Sequence, residues 1–235
     1  MSNNFNQQHK YLTISSADRL NGTPSKFLVN LPYGINFNYA ELINCQIANT
    51  FYNITSKNNA YKADEVAYNI PPGCYNFDEL INTIVSTGGI TSITYNDVSG
   101  IVTINVLESL GFDIDNSIGP VLGFTNTYGA AQAVHNSLFP PSLFYSSIYI
   151  DISEFSSNQF TSNNSYRTPT FTIPNNANKN FIIFYSQFSQ HEQRITSRNN
   201  TIIIHSLNIT VKNQYGSELQ GLSDWSMVLK LNSYC

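Results

Sequence analysis

The sequence is poor in charge. Only 11% of its 235 residues are Asp, Glu, Lys or Arg, whereas ordinary soluble domains contain roughly 25%. The formal net charge is -4, so the chain has no basic excess that would attract a phosphate backbone over long range, and specific nucleic-acid binding is not expected. A surface of amides, hydroxyls and tyrosines suits a protein whose flanks are covered by partners. A coding bias towards AT-rich codons, which raises Asn, Ile, Tyr and Phe, explains the composition equally well.

Cysteine and long apolar runs are also scarce. Cys45, Cys74 and Cys235 are an odd number at long spacings, which matches neither a disulfide framework nor a zinc site. The opening MSNNFNQQHK lacks the apolar segment of a secretory signal, and no apolar run approaches the length of a membrane span. We therefore expect a protein that is made and kept in a reducing cytoplasm.

Motifs that carry catalysis or bind metal are missing. The HEQRI stretch has Ile195 where a zinc-protease helix needs its second His. Residues 113–119 lack the features of a calcium loop, because Ile118 and Phe124 stand where a Gly and a Glu are needed. Neither a nucleophile elbow nor a P-loop spacing occurs. A triad assembled only in space and a carboxylate pair for glycoside hydrolysis stay open. We predict no enzyme activity, no catalytic residue, no metal and no cofactor.

Most of the chain alternates apolar and polar residues with the period of β-strands. Residues 11–15 and 26–31 are predicted to pair as an opening hairpin across a polar connection, residues 16–25, which we call the hinge. A stretch near the end, residues 181–188, is apolar enough to be buried on both faces. Further strands are predicted at 39–49, 66–70, 148–152, 167–174, 201–212 and 225–231, with 167–174 at a sheet edge because prolines bound it.

These patterns predict an all-β fold, a single jelly-roll sandwich of two antiparallel sheets. On its later strands His205 is expected in a buried or half-buried position. Trp225 alternates with three apolar residues and is expected in the core, although an exposed Trp could stack a sugar or a base.

Residues 66–124 follow a different pattern. Asn76 and Glu79 form a capping box at the start of a helix, and the glycine pair 88–89 ends it. We expect a small β-α-β-β insertion within one domain that spans residues 1–235. After the helix the pattern predicts a hairpin of residues 89–95 and 101–107 and a helical turn at 117–124.

The hinge contains the adjacent opposite charges Asp18 and Arg19. In one interpretation Asp18 caps a local backbone amide and Arg19 is solvated. In the other, an Arg flanked by Ser15, Ser16 and Asn21 is a fork for a carboxylate or carbonyl of a neighbouring subunit. Asp18 and Arg19 are therefore candidate subunit-interface residues.

Five blocks of the sequence resemble, in order, the penton (minor capsid) proteins of virophages and related Polinton-type elements. The blocks are ISSADRLNGTPSKFLVNLP, YAELINCQIANTFYNI, YNIPPGCYNFDELINTI, GPVLGF and LNITVKNQYGSELQGLSDWSMVLKL. The stretch 125–165 matches least. The resemblance implies a single jelly roll that assembles as homopentamers at the fivefold vertices of an icosahedral virion, beside double-jelly-roll major capsid proteins. It also implies that residues 66–124 project outwards and that the hinge lies near subunit contacts.

The leading hypothesis from the sequence is therefore a structural capsid protein of the virion vertex, assembled in the host cytoplasm. An alternative is a jelly-roll module that binds a carbohydrate or a host receptor, suggested by the abundant Tyr and Asn. An enzyme that acts on carbohydrate is a third hypothesis, which a buried pair of carboxylates would favour.

Overall fold

A computed structural model describes residues 7–125, 127–155, 169–188, 193–196 and 203–234. The chain divides into two compact units. Unit 1 contains Met1–Phe51 and Ser146–Cys235, and unit 2 contains Tyr52–Tyr145. Unit 2 is wider than the predicted insertion, residues 66–124, and the assignment of that insertion to one domain of 1–235 stays a prediction.

The elements, in chain order, are β1 (Gln7–Ser15), β2 (Asn21–Thr23), β3 (Lys26–Ile35), β4 (Tyr39–Ala48), β5 (Ala60–Ala63), β6 (Val66–Asn69), α1 (Phe77–Thr87), β7 (Ile90–Asn96), β8 (Ile101–Val106), β9 (Leu110–Gly111), β10 (Gly129–Ala130), β11 (Val134–Asn136), β12 (Ser147–Ile152), β13 (Phe171–Pro174), β14 (Ile182–Ser186), β15 (Arg194–Thr196), β16 (Ile204–Asn213) and β17 (Ser226–Tyr234). Short 3-10 helices cover Ser16–Asp18, Gly119–Leu122 and Ser153–Phe155.

Unit 1 contains two five-stranded antiparallel sheets. Sheet A has the order β1-β17-β4-β14, with β15 also paired to β4, and sheet B has the order β13-β12-β16-β3-β2. Alternate residues are buried along β12, β14 and most of β16, as a sandwich requires. Trp225, which directly precedes β17 of sheet A, meets Phe27 of sheet B edge to face, with 5.9 Å between the ring centroids. The expected all-β sandwich of antiparallel sheets is confirmed, and so is the core position of Trp225, which is 3% exposed.

The predicted opening hairpin is wrong. Strand β1 pairs with β17 at the other end of the chain, from Gln7 opposite Tyr234 to Ser15 opposite Ser226. Strand β3 lies in sheet B and pairs with β16. The hinge therefore carries the chain from one sheet to the other, a connection that strand periodicity cannot distinguish from a hairpin.

Two burial predictions on the late strands are also wrong. Strand β14 is buried on one face only, since Ile183 and Tyr185 are fully buried while Ile182 and Phe184 are exposed. It lies at the edge of sheet A, where only one face meets the core. His205 is exposed because a register shift between Ile204 and Ser206 changes the parity of β16. The edge position of residues 167–174 is confirmed for the described part, β13.

The helix and the hairpin that the sequence predicts after residue 66 are both present in unit 2. The side chain of Asn76 accepts from the amide of Glu79, whose carboxylate accepts from the amide of Asn76, so the predicted capping box is present. Helix α1 ends before Gly88, and β7 and β8 form the predicted hairpin. Tyr61, fully buried, donates from its hydroxyl to the carbonyls of Ile84 at 3.1 Å and Gly88 at 2.7 Å. The bond to Gly88 satisfies a carbonyl at the helix end, while the carbonyl of Ile84 also accepts from the amide of Gly88 at 3.4 Å.

An aromatic cluster completes the core of unit 2. Phe112 packs against Phe124, with 4.9 Å between the ring centroids, and against Tyr128 at 6.2 Å. The hydroxyl of Tyr128 lies 2.8 Å from Nδ1 of His135, which is fully buried. Burial lowers the pKa of His135, and a backbone hydrogen bond with Gln132 acts in the opposite direction as the smaller effect.

This lowered pKa predicts a loss of stability in mild acid. Below the usual His pKa of about 6.5 the unfolded chain binds a proton that the folded chain resists, so stability falls as pH drops from about 6.5 towards the lower pKa of the folded state. We expect the drop in Tm between pH 7 and pH 5.5 to be smaller in His135→Gln than in the wild type, and each 1 kcal/mol corresponds to about 2–4 °C. The matched control is His205→Gln, at an exposed His. An equal pH dependence in wild type and His135→Gln would contradict the assignment.

Two further observations concern membrane-spanning helices and metal sites. Within the described ranges, no helix is long and apolar enough to cross a membrane. In the same ranges no group of three or more His, Cys, Asp or Glu side chains is placed to hold a metal ion. His191 of the HEQRI stretch lies outside the described residues.

Candidate subunit interface at the hinge

The hinge begins with one turn of 3-10 helix. The hydroxyl of Ser15 accepts from the amide of Ala17 at 3.2 Å, so Ser15 caps the turn Ser16–Asp18. The sequence interpretation that gave the capping role to Asp18 is therefore wrong: in this turn Ser15 has that role, and Asp18 is exposed. Arg19 follows with extended backbone and leads into β2.

Arg19 is held by two acceptors of its own chain. Its Nη1 donates to the carboxylate of Asp224 at 2.5 Å and to the carbonyl of Ser16 at 2.6 Å. The side chains of Arg19 and Asp224 are 29% and 51% exposed, so the ion pair is screened by water and contributes modestly to stability. The interpretation of Arg19 as a purely solvated side chain is therefore wrong. Asp224 was missed in the sequence because 205 residues separate it from Arg19 and no local pattern connects them.

Ser16 fixes this ion pair to the core. It is fully buried, and its hydroxyl donates to Asp224 at 3.0 Å and accepts from the amide of Trp225 at 2.9 Å. Its own amide donates to the carbonyl of Trp225 at 2.9 Å. Three hydrogen bonds therefore join the hinge to the start of β17, and they set the position from which Arg19 projects.

The rest of the hinge is a tight hairpin between β2 and β3. The amide of Lys26 donates to the hydroxyl of Thr23 at 3.2 Å. Gly22 has a φ of +93°, a conformation that residues with a Cβ rarely adopt. A Cβ there would lie 2.1 Å from the carbonyl oxygen of Lys26. Leu20, at the start of this hairpin, is 59% exposed.

We expect Gly22→Ala to unpair β2 from β3, because the new methyl group clashes with backbone that cannot move away cheaply. The cost is about 1–3 kcal/mol in unfolding free energy, the range for strained backbone, measured by urea denaturation. Hydrogen exchange should increase at the amides of β2. Asn21→Ala, at an exposed neighbour, is the control and should change stability by less than about 0.5 kcal/mol. Equal stability of the two variants would show that the hairpin relaxes without cost.

Arg19 of the hinge has further hydrogen-bond donors, and Leu20 beside it is an exposed apolar side chain. Both bonds of Arg19 use Nη1, and no acceptor within the described part of the chain contacts its Nε or Nη2. A guanidinium has five N–H groups in a fork that matches a carboxylate or a carbonyl pair. The assignment of Asp18 and Arg19 to a subunit contact stays a prediction.

The comparisons with known proteins give different results for the sequence and for the fold. No protein-family model and no curated protein matches this sequence. The fold is similar to the crystal structure of the mavirus penton protein, with a TM-score of 0.53 and 10% sequence identity over 97% of this chain and 100% of that one. The resemblance to penton proteins seen in the sequence is thus confirmed at the level of the fold.

Proposed function

We propose that this chain is a structural, non-enzymatic capsid protein that forms homopentamers at the fivefold vertices of an icosahedral virion. Its partners in this proposal are four further copies and the double-jelly-roll major capsid protein of the surrounding shell, and assembly takes place in the host cytoplasm. The observation that carries the proposal is the likeness to the mavirus penton protein, which extends over both units and leaves almost none of either chain unmatched.

The outer face of sheet A supports a role in assembly. Two neighbouring rows cross the sheet, one residue from each of β14, β4, β17 and β1, and neither row contains a charged side chain. A free soluble surface ordinarily carries more charge for solubility, whereas surfaces that become buried between subunits are depleted of charge. The rows, in register order, are Phe184, Gln46, Ser226 and Ser15, and next to them Ser186, Asn44, Val228 and Thr13.

The direct test is the oligomeric state of the purified chain. Sedimentation velocity and negative-stain electron microscopy should show closed fivefold rings at micromolar concentration or above. A chain that stays monomeric at high concentration and does not join shells when mixed with the major capsid protein would contradict the proposal.

Arg19 gives a second test of the proposed contact. If its remaining donors bond a neighbouring subunit, Arg19→Ala should weaken assembly by about 1–3 kcal/mol per contact, the range for hydrogen bonds to charged groups. The same change should cost the monomer less, because the pair with Asp224 is partly exposed. Asp224→Ala is the matched control, since it breaks the intrachain pair and leaves the guanidinium present. Unchanged assembly with a lowered Tm in Arg19→Ala would assign the residue to intrachain structure alone.

A second candidate function, receptor or glycan binding, is favoured by one feature of unit 2. Val98, Leu138 and Phe139 are 98%, 62% and 61% exposed. Gly100, two residues after Val98, approaches Pro140, the residue after Phe139, with 3.1 Å between the ring Cγ and an ideal Cβ at Gly100. A glycan array probed with wild type and with Phe139→Ala tests this, and specific binding lost in the variant would support it.

A further inference from the structure

Among the described residues of unit 1, several exposed apolar side chains lie together at one edge of sheet A. Phe181, Ile182, Phe184 and Phe188 are 66%, 61%, 46% and 94% exposed. They lie within eight consecutive residues that contain β14, and we call them the β14 edge. No charged residue occurs between 180 and 188. Soluble proteins ordinarily protect an edge strand with charge, proline or a bulge, so this edge is built to be covered.

The area of the β14 edge fits a subunit contact. Each Phe side chain offers 150 Å² or more when buried, so the exposed parts of three Phe and one Ile amount to on the order of 400 Å². A standard protein interface buries roughly 800 Å² on each partner. The β14 edge therefore supplies about half of such an interface and all of its apolar centre, and the uncharged rows of sheet A adjoin it.

The opposite edge of the same sheet carries a second apolar surface. Strand β1 lies three strands away from β14, about 14 Å at the usual spacing. On this side Tyr11 of β1 and Leu20 of the hinge are 67% and 59% exposed. We call these two residues, together with Arg19, the β1 edge. It lies at the other end of the strand order from the β14 edge, so the two surfaces of one copy are separated by β17 and β4.

We propose that the β14 edge of one copy packs against the β1 edge of the next copy of this chain. This rests on the proposed homopentamer and names the two surfaces that meet in it. A cyclic ring needs two different, complementary surfaces on opposite flanks of each subunit. The two flanks of unit 1 meet that requirement: the β14 edge has the apolar anchors, and the β1 edge has Tyr11 and Leu20 beside the hydrogen-bond donors of Arg19. Backbone carbonyls at the β14 edge are acceptors for those donors.

The test uses one double variant for each edge. Phe184→Asn with Phe188→Asn disables the β14 edge, and Tyr11→Asn with Leu20→Asn disables the β1 edge. All four residues are exposed, so we expect Tm to change by no more than about 2 °C. We expect the dissociation constant between copies, from sedimentation velocity, to rise roughly 30-fold or more in each variant, as for loss of two anchor side chains. The matched control is Leu107→Asn with Val134→Asn, at exposed apolar residues of unit 2, which should assemble as the wild type does.

Mixing the two variants tests the pairing itself. Each variant retains the edge that the other has lost, so one contact per pair can form and no ring can close. We expect an equal mixture to give dimers at a concentration at which each variant alone is monomeric, as seen by native mass spectrometry. A mixture that stays monomeric while wild type forms rings would overturn the pairing.

The outcomes separate this inference from the proposed function. If wild type forms fivefold rings and the β14-edge variant forms them with the same dissociation constant, the inference fails and the capsid proposal stands. If wild type stays monomeric and does not join shells, both fail. If wild type is monomeric but joins shells, and the β14-edge variant does not join them, another shell protein covers the edge and the inference is overturned.

Discussion

Replacement of Trp225 by Ala is expected to lower the free energy of unfolding by about 3–5 kcal/mol, the range for deletion of a large buried aromatic side chain. The indole is 3% exposed, packs edge to face on Phe27 and donates from Nε1 to the carbonyl of Pro24 at 2.8 Å. Its loss opens a cavity where sheet A meets sheet B and leaves that carbonyl without its donor. Tm should fall by about 6–20 °C, measured by calorimetry or circular dichroism.

Two variants bracket this expectation. Trp225→Phe keeps most of the packing and removes only the hydrogen bond, so we expect a loss of about 1–3 kcal/mol, the cost of leaving a buried acceptor unpaired. Phe188→Ala removes an aromatic ring that is 94% exposed and should change stability by less than about 0.5 kcal/mol. If Trp225→Ala costs no more than Phe188→Ala, the indole does not hold the sandwich together.

Replacement of Phe112 by Ala is expected to have a comparable effect on unit 2, about 3–5 kcal/mol. The ring is fully buried and contacts Phe124 and Tyr128. It also lies against the backbone of Gly119, where even one added Cβ would come within 2.7 Å of the ring. Because this packing is so close, removal of the ring leaves a void that its neighbours cannot fill easily.

Hydrogen exchange measured by mass spectrometry locates this effect. We expect the amides of α1 and β8 to exchange faster in Phe112→Ala, since their buried side chains belong to the same core. Phe139→Ala removes a ring of the same unit that is 61% exposed and serves as the control. Unchanged protection in unit 2 of the Phe112→Ala variant would show that the aromatic cluster is dispensable for its stability.

The sequence predicted the elements whose signals are local. Asn76 and Glu79 lie three residues apart and specify the start of α1 by their own hydrogen bonds. The glycines at 88 and 89 end it, and the turn 97–100 closes the hairpin of β7 and β8. In each case every residue needed for the prediction lies within one short window.

The sequence could not predict which strands pair over long distances. Residues 11–15 and 26–31 are neighbours in the chain, and both alternate, so a hairpin was the simplest interpretation. The partner of β1 is 217 residues away at Leu12 opposite Leu229, near the middle of the ladder. Periodicity identifies the buried face of a strand and contains no information on its neighbour.

The candidate interface was predicted only in part. The scarcity of charged residues indicates Asp18 and Arg19 as interface candidates. The ion pair of Arg19 with Asp224 is not predictable from the sequence, because it forms only where the start of β17 lies beside the hinge. Phe184 was expected to be buried because its neighbours are apolar. An apolar run in the sequence is the same whether the core of its own chain or another subunit covers it. Only the position of the strand in the sheet distinguishes these two cases.

The pairing of β1 with β17 also has a practical consequence for protein engineering. Gln7 and Tyr234 are directly opposite each other, and partners in an antiparallel ladder lie about 5 Å apart. A linker of a few residues can therefore join the two positions without disturbing either strand. A circular permutant opened at Asp97, in an exposed turn, should keep both units intact and move its new termini to that turn.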